Sequence, residues 1–192
     1  MIENMNDFKI PIIKTGVRIL RPKEYEALLR YCTKPHHRTM LQALLYTGMR
    51  YIEMQKLQKY PSWFDGEFIH LPRLADAKVK RTQHERFVRL NQAGKMAVEY
   101  FLRLKEPLPA YQNWRDNMIR WGINAGLDPT GLGVKTTRKT YESWLIFYFP
   151  KNMIQVIQSQ GHNVITSVEY YLNMPFNEVD KIQMKSYVEG WI

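Results

Sequence analysis

The chain has 192 residues, enough for one sizeable domain with a substantial core, and 45% of them are hydrophobic and 13% aromatic. No apolar run of about 18 residues is present, which argues against a membrane span, and a single cysteine, Cys32, excludes an intramolecular disulfide framework and a thiolate cluster for zinc. Twenty-eight lysines and arginines against eighteen aspartates and glutamates leave a net charge of +10, an excess that favours a polyanionic partner because each neutralised phosphate releases condensed counterions.

The first segment, "MIENMNDFKIPIIK", carries acidic residues and lacks a secretory apolar core, so nothing suggests export and a cytoplasmic location is expected. Residues 1–20 read as an irregular or extended N-terminal extension, with Pro11 and Gly16 as breakers. "RPKEYEALLRYC" (21–32) predicts a helix with Pro22 in its first turn, and Cys32 reads as a small apolar helix residue. The helical pattern continues over 37–57 and is interrupted at Thr47-Gly48, where glycine permits a sharp change of direction. "GEFIHL" (66–71) and "ERFVRL" (85–90) are β-prone and flank the basic stretch "PRLADAKVKRTQH", which predicts a hairpin-like ribbon with a long cationic connection. Helical patterns follow over 91–104, 111–126, 136–149 and 152–161. In the tail, 176–192, Met184, Val188 and Trp191 fall at i, i+4 and i+7, an apolar helical stripe. The fold expected is mainly α with a small antiparallel β-hairpin, an α+β domain spanning 21–175 with a tail helix after it.

Several residues along this frame bear on chemistry. Arg50 follows the glycine turn in "YTGMRYIEM", with Glu53 one turn later; Lys135 and Arg138 lie three apart in "KTTRKTY". Lys78, Lys80 and Arg81 occupy the basic connection, and "GHNVITSVEYYLN" places His162 nine residues before Tyr171. Singly, each has an ordinary explanation: a solvated helical ion pair, a basic surface turn, a helix terminus, core tyrosines. Their order and spacing together are not of that kind.

Taken together, "TGMRYIE", "KVKRTQHERFVRL", "KTTRKTY" and "GHNVITSVEYY" resemble the catalytic domain of tyrosine recombinases, the site-specific integrases. The likeness runs from about residue 21 to about residue 175. Members of that family usually have histidine where this chain has Lys135, and the lysine resembles integrases of archaeal viruses and plasmids. Most members also carry an N-terminal DNA-clamping domain with no counterpart here, so an excised catalytic domain and a natural minimal form are both compatible with the sequence.

The resemblance implies that Arg50 and Arg138 bind the scissile phosphate of double-stranded DNA, as permanently charged guanidinium groups with paired donors are suited to do. It implies Tyr171 as the nucleophile, with Tyr170, about 100° away around a helix, as its rival. Lys80, preferred over Lys78, would protonate the leaving 5′ oxygen; Lys135 would support the phosphate, and His162 would hydrogen-bond one of its oxygens. Lys78, Arg81, Arg86 and Lys139 are expected to contact DNA through charge. Neither metal, cofactor nor small-molecule ligand enters this scheme. A tetramer on DNA is also implied; the tail helix is expected to pack on its own domain by default, and the resemblance adds the alternative that it is exchanged between subunits. The alternatives are a relaxing enzyme similar to type IB topoisomerases and a basic DNA-binding protein without catalysis.

Overall fold

The structure, a computed structural model, describes residues 10–73, 85–161 and 174–192. Its first feature departs from the irregular or extended N-terminal extension expected over residues 1–20. Strands β1 (Ile12–Lys14) and β2 (Val17–Ile19) pair antiparallel, with Lys14 opposite Val17. Thr15 and Gly16 between them hold φ of +49° and +70°, the two positive angles that a two-residue hairpin turn matched to strand twist demands. Ile12, Ile19 and Leu20 are buried in the main core, so this segment is packed into the domain.

Helix α1 (Pro22–Tyr31) starts with proline in its first turn, and Glu24 accepts a hydrogen bond from the Arg21 N–H (2.7 Å). Helix α2 (Pro35–Thr47) ends at Gly48, whose left-handed φ of +56° reverses the chain into α3 (Tyr51–Lys59). Strands β3 (Phe68–Leu71) and β4 (Arg86–Arg89) form the second antiparallel pair, with Phe68 opposite Arg89 and Leu71 opposite Arg86. Helices α4 (Gln92–Leu102), α5 (Tyr111–Asn124), α6 (Thr136–Tyr148) and α7 (Met153–Gln160) follow, and the tail forms α8 (Glu178–Val188).

Helix α6 is the centre of the domain. Thr136 to Ile146 are buried except Lys139, the signature of a helix surrounded on all sides. It packs against β2, α2, α7 and α8. Leu20, directly after the hairpin, is bound to it by two hydrogen bonds, Leu20 N–H to Thr140 Oγ1 (3.0 Å) and Trp144 Nε1–H to the Leu20 carbonyl (2.9 Å).

Of the expected helical stripe, Met184 and Val188 lie on α8, whereas Trp191 follows its end after Gly190 turns the chain at φ +75°; all three are buried. Trp191 Nε1 donates to the Arg89 carbonyl (3.1 Å), and Asn91 Nδ2 donates to the carbonyls of Tyr187 and Glu189 (2.8 and 3.1 Å). Asn91 also caps α4, accepting from the Gly94 N–H at 2.8 Å, so one side chain joins that helix to the tail. No helix among the described residues is long and apolar enough to cross a membrane.

Candidate active site

The αL turn at Gly48 places Arg50 at the N-cap of α3. Glu53, one turn on, accepts the Arg50 main-chain N–H (2.8 Å) with Oε2 and its guanidinium Nη1 (2.8 Å) with Oε1. Arg50 Nη2 reaches the Gly161 carbonyl at 3.3 Å. The Arg50 side chain is 42% exposed while Glu53 is 4%; the guanidinium is therefore gripped from behind and open in front.

Arg138 enters the same place from the first turn of α6. It is buried, and its Nη1 donates to the Gly48 carbonyl (2.7 Å) and to Gln160 Oε1 (3.4 Å). Its Nη2 donates to the Gln160 carbonyl (2.5 Å). Gln160 Nε2 in turn donates to the Thr47 carbonyl at 3.3 Å. The two arginines thus hold consecutive carbonyls, of Gln160 and Gly161, at the end of α7, which Gly161 closes in the left-handed conformation.

Arg86, expected on the surface against DNA, instead turns inward from β4 and is buried. Nη1 and Nη2 form a two-pronged ion pair with the Glu53 carboxylate (3.0 and 2.8 Å), and Nε donates to the Ser159 carbonyl (3.1 Å). Burial alone would raise the Glu53 carboxyl; the hydrogen bonds and charge of Arg86, then the charges of Arg50 and Arg138, outweigh it and hold the group down at about 2. Burial draws the Arg138 guanidinium down to about 10, with Glu142 opposing that shift and the like charge of Arg50 adding to it. Among the described residues, three guanidinium groups and two carboxylates, Glu53 and Glu142, therefore act on one another here, one positive charge more than negative. An oxyanion set before Arg50 would offset it.

Lys135 is exposed at the N-cap of α6, the entrance position its spacing from Arg138 suggested. A groove of about 520 Å³ opens beside it, lined among others by Val17, Arg115 and Leu132. Lys139, one turn into α6, is half-buried and donates to the Lys14 carbonyl (3.3 Å) and to Thr15 Oγ1, tying α6 to the hairpin. Lys78, Lys80, Arg81, His162, Tyr170 and Tyr171 lie outside the described residues. Among the described residues no group of three His, Cys, Asp or Glu is arranged to hold a metal ion.

Gln160 and Ser159 are participants that sequence reasoning did not pick out. Their only signal is two small or amide side chains directly before the helix-ending glycine, and such residues are common there.

This arrangement sits on the tyrosine recombinase catalytic-domain fold, a mainly helical domain with two small antiparallel sheets. A solved structure with that fold, XerA recombinase, superposes with a TM-score of 0.64 at 16% sequence identity, over 95% of this chain and 70% of that one. No protein-family model matches the chain, and no curated protein does.

Proposed function

We propose that this protein is the catalytic domain of a site-specific DNA recombinase or integrase, which cuts and rejoins DNA through a covalent 3′-phosphotyrosine. The observation that carries this reading is the convergence of Arg50 and Arg138 on the adjacent carbonyls of Gly161 and Gln160. Two fixed guanidinium groups, one of them solvent-facing, suit a phosphate whose non-bridging oxygens gain negative charge during attack. The carbonyls they hold, of Gln160 and Gly161, come directly before His162, which begins the segment leading to Tyr171. The fold shared with XerA recombinase and the net charge of +10 favour the same reading.

In the reaction, the Tyr171 oxygen forms a bond to phosphorus as the bond from phosphorus to the 5′ oxygen breaks. The phenol proton leaves by way of Lys135, and Lys80 delivers a proton to the departing 5′ oxygen. Arg50, Arg138 and His162 hold the phosphate oxygens throughout. One phosphodiester is exchanged for another, so a second strand's 5′-hydroxyl can reverse the step without ATP. Lys78, Arg81 and Lys139 contribute backbone contacts, and the assembly acts as a tetramer on two duplexes.

The test is a nicked duplex carrying a site, labelled so that the covalent adduct is trapped and counted. Wild type should form the adduct, Tyr171→Phe should not, and Tyr170→Phe should. Absence of any wild-type adduct would favour a silent DNA binder; an adduct that leads only to loss of supercoils would favour a relaxing enzyme.

A further inference from the structure

Arg86 carries a role beyond its expected contact with DNA. All three of its guanidinium nitrogens are engaged inside the protein, two by Glu53 and one by the Ser159 carbonyl, and the residue is only 8% exposed. Glu53 is the same carboxylate that grips Arg50 at both its main-chain N–H and its guanidinium. The Arg86 stem also fills the space beside Gly161: a Cβ at that glycine would fall 2.8 Å from Arg86 Cδ and 2.9 Å from Nε. Gly161 supplies the carbonyl that Arg50 Nη2 reaches. One side chain from β4 therefore braces both supports of the exposed arginine, its carboxylate and its carbonyl.

Fold stability does not by itself call for a charged group at this position. A buried ion pair commonly does no better than an apolar side chain of equal volume, because both charges must be desolvated. What an apolar side chain could not do is direct the two Glu53 oxygens. With Arg86 holding one lone pair on each oxygen, the remaining ones face the Arg50 main chain and guanidinium.

We infer that Arg86 is a positioning residue for DNA cleavage, acting through Glu53 and Gly161 to fix the Arg50 guanidinium where the scissile phosphate binds. The inference rests on the cleavage function proposed above.

The experiment is a double-mutant cycle between Arg86→Met and Arg50→Lys in the full chain. It reads the single-turnover rate of adduct formation on the nicked duplex, with DNA affinity and thermal midpoint measured in parallel. Arg86→Met should slow adduct formation on the order of a hundredfold, the penalty typical of a misplaced catalytic group. DNA affinity and its salt dependence should stay within about twofold, because all three Arg86 guanidinium nitrogens are already engaged inside the protein. In the Arg50→Lys background the same change should cost little more, since the group it positions is already altered. Should Arg86→Met not fold, Arg86→Lys keeps the charge but loses the two-pronged hold, and carries the same cycle.

Rates that multiply across the cycle, or an Arg86→Met rate equal to wild type, would overturn the inference, as would weaker DNA binding with a shallower salt dependence. A wild type that forms no adduct removes the enzyme reading and this inference with it. An active wild type with multiplying rates removes this inference alone.

Discussion

Gly48 and Gln160 interlock: a Cβ placed on Gly48 would collide with the Gln160 side-chain amide, and Gly48 itself sits at φ +56°. Both residues also receive Arg138, through the Gly48 carbonyl and through the side chain and carbonyl of Gln160. Gly48→Ala should therefore destabilise the domain by about 1–2 kcal/mol from the left-handed backbone, with a further ~1–3 kcal/mol from displacing the amide. Adduct formation should fall even at temperatures where the variant is fully folded. Urea unfolding alongside the cleavage assay checks both effects.

Glu53 links acid stability to the site. Its carboxyl is held at about 2, below the ordinary unfolded value of about 4.3, so the unfolded chain binds more protons between those values and stability rises with pH across them. Its contribution, on the order of 3 kcal/mol, is complete above pH ~4.3 and is lost as pH falls toward 2. Glu53→Gln removes that slice of the pH dependence while leaving two arginines facing a neutral amide, at a cost of about 3–5 kcal/mol near neutrality. Denaturant titrations from pH 3 to 7 should show a flatter curve for the variant.

The tail offers a contrast over a short stretch. Trp191, just past the end of α8, is 1% exposed, and Ile182 on α8 is 72% exposed. Trp191→Ala should cost about 3–5 kcal/mol, whereas Ile182→Ser should stay within about 0.5 kcal/mol of wild type. Thermal melts of the two variants decide it.

Lys135 tests the chemistry at the entrance to α6. If it supports the phosphate and relays the tyrosine proton, Lys135→Ala should slow adduct formation by about 10²-fold or more. Lys135→His should retain most of the rate, because imidazole can do both tasks and titrates nearer neutrality. Because the residue is exposed at the helix entrance, neither change should move the melting temperature appreciably.

Much of this fold was legible from periodicity. The break at Gly48, the ribbon strands around 66–71 and 85–90, and the stripe of Met184, Val188 and Trp191 all carry local signals that survive in the folded chain. The hairpin at 12–19 was less so, since three-residue strands are too short to display alternation and Thr15-Gly16 lacks the usual Asn-Gly or Asp-Gly signature. At the site, Arg50 and Glu53 are one helical turn apart and could be paired on paper. Arg86 comes from 33 residues further on, and no local pattern distinguishes an arginine turned toward a buried carboxylate from one turned toward solvent. Gln160 is similar: its importance arises only when α2, α6 and α7 meet.

The seating of Trp191 beside Arg89 has a consequence for biosynthesis. A nascent chain emerges from the ribosome with its first residues leading, so β4 and α6 are made before α8 can reach them. Until residue 191 clears the exit tunnel, the indole cannot seal the strand that begins with Arg86. Complete packing of β4 therefore waits until the tail that carries Trp191 has been made.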